Sequence, residues 1–226
     1  MGAPGPDNVT LLHGLAAGLL PPGTGVAALQ VRPGQQALFP EEAAHVRQAI
    51  PARRAEFAAG RAAARAAMLQ LGLPPHAIPA GEDRAPVWPE GISGSISHEG
   101  PVCLAAVSTR CAMIGIDIER DLPLHDDLLP TVCTAAELVQ IAGPEQGRLA
   151  KLIFSAKEAA YKAQYPLTGS ILGFHHFDVT LEMETGQFRA RFAEACGTFD
   201  AGDALTGRFG WVADHLVTAV ADVANS

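Results

Sequence analysis

The chain has 226 residues, 48% of them apolar and 18% charged, with a formal charge of −8. That length suits one large globular core or two small ones, and no run approaches the ~18 uninterrupted apolar residues of a membrane-spanning helix. The acid excess speaks against a broad nucleic-acid surface, which needs Lys and Arg to neutralise phosphates, yet it leaves room for a small anion wherever basic residues gather.

No Lys or Arg precedes the apolar part of the N-terminal stretch, so no secretory leader is expected. Pro6 breaks the pattern that would lipidate Gly2. Cys103, Cys111, Cys133 and Cys196 stand apart with no C-x-x-C and read as reduced thiols of a cytoplasmic protein. The histidines are scattered without the spacing of a zinc site.

Along the chain, "GVAALQV" (25–31) reads as a strand. The stretch from Pro51 reads as a long helix that stops at Gly72. A proline-rich passage follows. "SGSISH" and "VCLAAVS" then read as a hairpin turning at Glu99, Gly100 and Pro101. "CAMIGIDIE" is the next strand. In the second half, Thr134 and Glu137 form a capping box ahead of "LVQIA". A longer helix runs through "GRLAKLIFSAKEAAYKAQY" to Pro166, with Leu149, Leu152, Ile153, Ala156, Ala160 and Ala163 at helical spacing. "FDVTLEM", "QFRARF", "RFGWVAD" and "HLVTAVADV" close the chain as a meander of strands. The order is strand–helix–strands, then helices–strands. It reads as α+β, in two sub-domains of about equal size divided just before "IGIDIE".

Four stretches carry chemistry. In "IGIDIER", Asp117 and Glu119 are two apart on a strand, on one face and roughly 6.7 Å apart at Cα. Ile114, Ile116 and Ile118 take the other face. Two clustered carboxylates repel, which favours a divalent cation or a shared proton, and an oxygen-only set suits Mg²⁺ or Mn²⁺. In "FSAKEAAYKA", Glu158 and Lys162 share a helix face, and Lys157 lies about 100° around the helix from Glu158. Glu158 would add a third carboxylate, with Lys157 and Lys162 beside a phosphate. In "SGSISHEG", Ser95 and Ser97 share a face and His98 ends the strand, where it would donate to a phosphate as imidazolium or in the right tautomer. In "RRAEFAAGRAAAR", Arg54, Arg61 and Arg65 line one helix stripe with Arg53 beside it, a concentration of guanidinium forks suited to phosphate. Each stretch taken alone also has a plain reading: a wet strand face, a helix salt bridge, a polar strand end, a solvated helix face.

Together, in this order, the four resemble the Sfp-type 4′-phosphopantetheinyl transferases. "IGIDIER" and "FSAKEAAYKA" are similar to that family's G-[IV]-D-x-E and [WF]-x-x-K-E-[AS]-x-x-K motifs. "RAPVWPEGISGSISH" and "RRAEFAAGR" resemble its EntD-like bacterial branch. The resemblance implies two similar α+β sub-domains related by a pseudo-twofold, with the active site in the cleft between them. Residues 1–111 would hold the arginine helix and the "SISH" strand, and residues 112–226 the metal and catalytic motifs.

It further implies transfer of 4′-phosphopantetheine from coenzyme A to a serine of an apo acyl or peptidyl carrier protein, with release of adenosine 3′,5′-bisphosphate. Asp117, Glu119 and Glu158 would hold Mg²⁺, or Mn²⁺. Glu158, Lys162 and His98 would serve catalysis, Glu158 either as the base or only as a metal ligand. Lys157, Lys162, Ser97 and His98 would meet the coenzyme phosphates, and Arg53 and Arg61 the 3′-phosphate, with Arg84 nearby. Gly115 would keep the site side of the strand open. Many relatives carry Trp where this chain has Phe154, and Asp121 adds an acid that would tune the metal or face solvent. A cytoplasmic monomer serving siderophore or other nonribosomal peptide assembly is the family expectation. The same carboxylates would also suit a Mg²⁺-dependent phosphohydrolase, and the same surface a non-catalytic binder of coenzyme A or of a carrier.

Overall fold

A computed structural model describes residues 6–223; the lipidation reading at Gly2 and the start of the N-terminal stretch lie outside it. In chain order the main elements are α1 (Pro6–Leu19), β1 (Gly25–Gln30), α2 (Pro40–Ala43), α3 (Pro51–Gln70), β2 (Ser93–Glu99), β3 (Val102–Ser108) and β4 (Cys111–Arg120). Then come α4 (Leu129–Val132), α5 (Ala135–Gln140), α6 (Gln146–Thr168), β5 (Phe177–Glu182), β6 (Gln187–Phe192), β7 (Ala204–Val212) and β8 (His215–Val223). The strands form two antiparallel sheets, one ordered β1-β3-β2 and the other β4-β8-β7-β6-β5.

Each half lays one long helix on one sheet, which is an α+β architecture. Ala63, Ala64, Ala67 and Met68 of α3 pack on Ala27, Ala105 and Val107 of the three-stranded sheet. Leu152, Ile153, Ala156 and Ala160 of α6 pack with Phe188, Ala190, Leu216 and Val220 of the five-stranded sheet. The period-2 alternation of the strands sends the intervening residues into a second core. Val26 and Ala28, Leu104 and Ala106, Ile114, Ile116 and Ile118, and Val217 and Ala219 meet there, drawn from both halves.

α1 completes this shared core with Leu12, Ala16 and Leu19 at helical spacing, and Leu20 joins them just past its end. The sequence reading assigned no element there. Arg208 on β7 donates to the Gly18 carbonyl at 2.8 Å, so α1 is tied to C-terminal strands although it opens the chain.

The sheets also meet where β2 runs beside β4. The link uses side chains rather than a backbone ladder. Ser95 Oγ accepts from the Ile116 amide at 3.0 Å, and Ser93 Oγ donates to the Ala112 carbonyl at 3.4 Å. Gly115 lies in this region but faces α6. A Cβ there would stand 1.9 Å from the Ala159 carbonyl oxygen. Gly115 therefore lets a helix backbone touch a strand backbone; it does not keep space open, as the sequence reading expected.

α6 outruns its expected stop. Pro166 sits in its last turn, and Gly169 caps it in the left-handed conformation (φ 63°), donating to the Tyr165 carbonyl. All four cysteines are free and buried. Among the described residues no helix is long and apolar enough to cross a membrane.

Candidate active site

The β4 alternation places Asp117 toward α6. It is 3% exposed, and both of its carboxylate oxygens are engaged. Oδ1 accepts from Lys162 Nζ at 2.6 Å and from Ser97 Oγ at 2.9 Å; Oδ2 accepts from Ser155 Oγ at 2.8 Å. Lys162 Nζ also reaches Ser97 Oγ at 3.0 Å and the Ile116 carbonyl at 3.3 Å. One knot therefore joins β2, β4 and α6 across the junction of the halves. The expected i, i+4 partnership of Lys162 with Glu158 gives way to Asp117, the more buried acid.

Lys151, Ser155, Glu158 and Lys162 recur every three or four residues and form the site-facing stripe of α6. Lys151 Nζ holds Glu119 Oε2 at 3.0 Å. Glu158 makes no hydrogen bond among the described residues. Burial, then the neighbouring charge of Asp117, raises the Glu119 carboxyl above its ordinary range, and Lys151 opposes this. Burial likewise raises Glu158, with Lys162 opposing and Asp117 adding. Both acids thus feel Asp117 at the centre. Among the described residues, however, no three ligating side chains already enclose an ion. The donors are hard carboxylate oxygens, as Mg²⁺ prefers; Asp117 and Glu119 stand paired to lysines, and Glu158 does not.

His98 continues the site along β2. Arg53 Nη1 lies 3.1 Å from His98 Nε2. A guanidinium only donates, so Nε2 accepts and the ring proton sits on Nδ1. Burial, Arg53 and Lys162 lower the imidazole pKa below its ordinary value, with Glu56 opposing. Both the contact with Arg53 and the lowered pKa favour the neutral ring over the imidazolium.

Three expected contacts fall elsewhere. Lys157 is 1% exposed and points away from the knot, donating to Glu137 Oε2 and the Val132 carbonyl, each at 2.8 Å. Its 100° offset from Glu158 puts it inside the C-terminal core, off the site-facing stripe. Arg61 is 6% exposed, donates from Nε to the Ile78 carbonyl at 2.8 Å and stacks over Phe57. Burial lowers its pKa to about 10, and its Nη2 is covered and unpartnered. The other stripe arginines are also occupied: Arg65 holds Glu42 at 2.7 Å, and Arg54 donates to the Arg47 carbonyl. Asp121 is bound in a fork by Arg148 rather than facing the acids. Phe154 packs against Phe174 at 5.4 Å.

A cleft of about 900 Å³ opens beside the knot. Lys162, Ser95, Tyr161 and Tyr165 line it on one side, and the 81–88 loop with Arg84 and Trp88 on the other. Tyr165 donates to Asp83 and so ties α6 to that loop. Arg84 adopts φ 70° on the exposed rim. Ser155, Lys151, Glu137 and the tyrosines were not singled out as site or buried-pair residues from the sequence. The first two were findable as the i−3 and i−7 neighbours of Glu158.

The profile of the 4′-phosphopantetheinyl transferase N-terminal domain matches residues 41–108, and that of the 4′-phosphopantetheinyl transferase superfamily matches residues 113–218. The 4′-phosphopantetheinyl transferase Svp of Streptomyces mobaraensis is 42% identical over 193 residues, 81% of this chain and 78% of its own. PptT of Mycobacterium tuberculosis is 34% identical, covering 80% of this chain and 85% of its own. Enterobactin synthase component D of Escherichia coli is 40% identical over 57% of this chain and 63% of its own. The chain belongs to the 4′-phosphopantetheinyl transferase superfamily, and it is a transferase enzyme that uses coenzyme A.

Proposed function

We propose that this enzyme moves 4′-phosphopantetheine from coenzyme A onto a serine of an apo acyl or peptidyl carrier protein and releases adenosine 3′,5′-bisphosphate. The observation that carries this reading is the Asp117–Lys162–Ser97 knot where the two halves meet, with its Lys162 lining the adjoining cleft. In the reaction the serine oxygen bonds to the phosphorus that bears pantetheine, and the bridging P–O bond of the pyrophosphate breaks toward the nucleotide.

Each chain residue then has work its placement suits. Glu158, half-buried with a raised pKa and free of hydrogen bonds among the described residues, accepts the serine proton or holds the metal. Lys162 exchanges a carboxylate for phosphate oxygens and steadies charge on the departing nucleotide. Ser97 and His98 line the phosphate path, and Arg53, exposed beside His98, meets the 3′-phosphate. Arg84, on the rim of the cleft that Lys162 also lines, would reach a further coenzyme phosphate. Arg61 supports this surface from beneath through Ile78 and Phe57. Asp117, Glu119 and Glu158 would hold Mg²⁺, which, when bound, neutralises pyrophosphate oxygens and lets an anionic phosphorus be attacked.

The enterobactin synthase relatives favour carriers of siderophore or nonribosomal peptide assembly as the partner class. Intact mass spectrometry of an apo carrier with coenzyme A, Mg²⁺ and this protein tests the reading. The carrier gains one phosphopantetheine mass, and a carrier lacking its acceptor serine gains none. Coenzyme consumption without carrier modification would mark a phosphohydrolase instead, and neither change would mark a binder.

A further inference from the structure

We propose that Lys151 is a built-in competitor for the metal ion, so that the metal binds together with the coenzyme rather than ahead of it. The inference rests on the function proposed above. Lys151 Nζ sits 3.0 Å from Glu119 Oε2, and both side chains are largely covered, 18% and 20% exposed. The ammonium also lies 5.2 Å from the face of Phe154, a second favourable contact that holds it in place. Among the described residues Lys151 is the only hydrogen-bond partner of the Glu119 carboxylate.

The charge balance follows from the same stripe. Asp117, Glu119 and Glu158 carry three negative charges, and Lys162 and Lys151 return two, which leaves −1. A divalent ion entering the free enzyme therefore meets one net charge and must dislodge two ammonium groups from its ligands. Coenzyme A changes this. Its pyrophosphate offers the lysines other anions and the metal further oxygens. Metal and coenzyme each make the other's binding easier, and that coupling is reciprocal. Lys162 takes part in this exchange as a coenzyme-contacting group. Lys151 has no such duty in the proposed reaction, so its effect on the metal can be isolated.

The probe is Mn²⁺ alone, titrated by electron paramagnetic resonance or calorimetry on the full chain, with and without coenzyme A. Lys151→Met raises the affinity for Mn²⁺ alone about tenfold, the scale of removing one charge near a divalent ion in a wet site. It also shrinks the affinity gain that coenzyme A confers. Lys151→Arg, which restores the charge, behaves as wild type. If Lys151→Met folds poorly, Lys151→Gln makes the same prediction. Unchanged or weaker Mn²⁺ binding in the neutral variants overturns the inference while leaving the carboxylate site standing. Wild-type Mn²⁺ binding by Asp117→Asn would show that the ion lies elsewhere, and would overturn the metal assignment and this inference together.

Discussion

Replacing Gly115 by alanine should separate the two halves of the active-site knot without touching any of its side chains. The added Cβ would lie 1.9 Å from the Ala159 carbonyl oxygen and 2.7 Å from the Ala163 amide nitrogen, both backbone atoms that no rotamer change can move. Ordinary contact begins at 3.4 Å, so α6 must retreat by the difference, 1.5 Å, or tilt. Overpacking of this kind costs about 1–3 kcal/mol. For a chain this long that lowers Tm by about 3–10 °C. The same retreat carries Ser155, Glu158 and Lys162 away from Asp117, and misplacement by about 1 Å costs on the order of 10²-fold in rate. We expect Gly115→Ala to fold, to melt several degrees lower, and to lose about two orders of magnitude in kcat/KM for carrier modification by intact mass. Wild-type kcat/KM together with an unchanged Tm would refute the argument that this contact sets the strand–helix spacing.

Other predictions follow from the same geometry. Lys157→Met strands the buried Glu137 carboxylate and should cost about 3–5 kcal/mol in urea unfolding, as breaking a buried ion pair does, with KM for coenzyme A unchanged in the surviving fold; a selective rise in KM would return Lys157 to the coenzyme. Arg53→Ala should raise KM for coenzyme A more than for its 3′-dephospho analogue while leaving Tm alone, whereas Arg61→Ala should lower Tm through loss of the Ile78 bond and the Phe57 contact. The reverse pattern would exchange their roles. Glu158→Gln tests the raised carboxyl. A group whose pKa is higher folded than unfolded stabilises fully below the unfolded value, 4.5, and that contribution is lost as pH rises through the folded value. The variant should therefore gain Tm over wild type at pH 7 and show a smaller gain at pH 4, while losing transfer. An equal difference at both pH values would contradict burial as the cause.

Much of the site was legible because the strand period leaves little choice. Once Ile114, Ile116 and Ile118 are buried together, Asp117 and Glu119 must share the opposite face, and the helical period likewise groups Glu158 with Lys162. The Thr134–Glu137 box was readable from residue type and spacing, and it caps α5 with Glu137 Oε2 accepting from the Thr134 amide at 2.7 Å. What escaped was position about the helix axis relative to a neighbour not yet placed. Lys151, Lys157 and Lys162 look alike in composition. Only packing on β4 shows that the first and last face the acids while the middle one neutralises a core glutamate. α1 escaped for a related reason: its apolar positions are satisfied by strands from the far end of the chain, and nothing local announces them.

The order and spacing of its residues determined which groups this protein can bring to a phosphate, because short-range periodicity fixes which side chains of one element point the same way. Tertiary structure alone decided which groups pair between elements: Lys162 with Asp117, Lys151 with Glu119, Arg53 with His98, and Arg61 with its own scaffold. Those pairings depend on the distance and angle between elements far apart in the chain, and these are set by close packing such as that at Gly115.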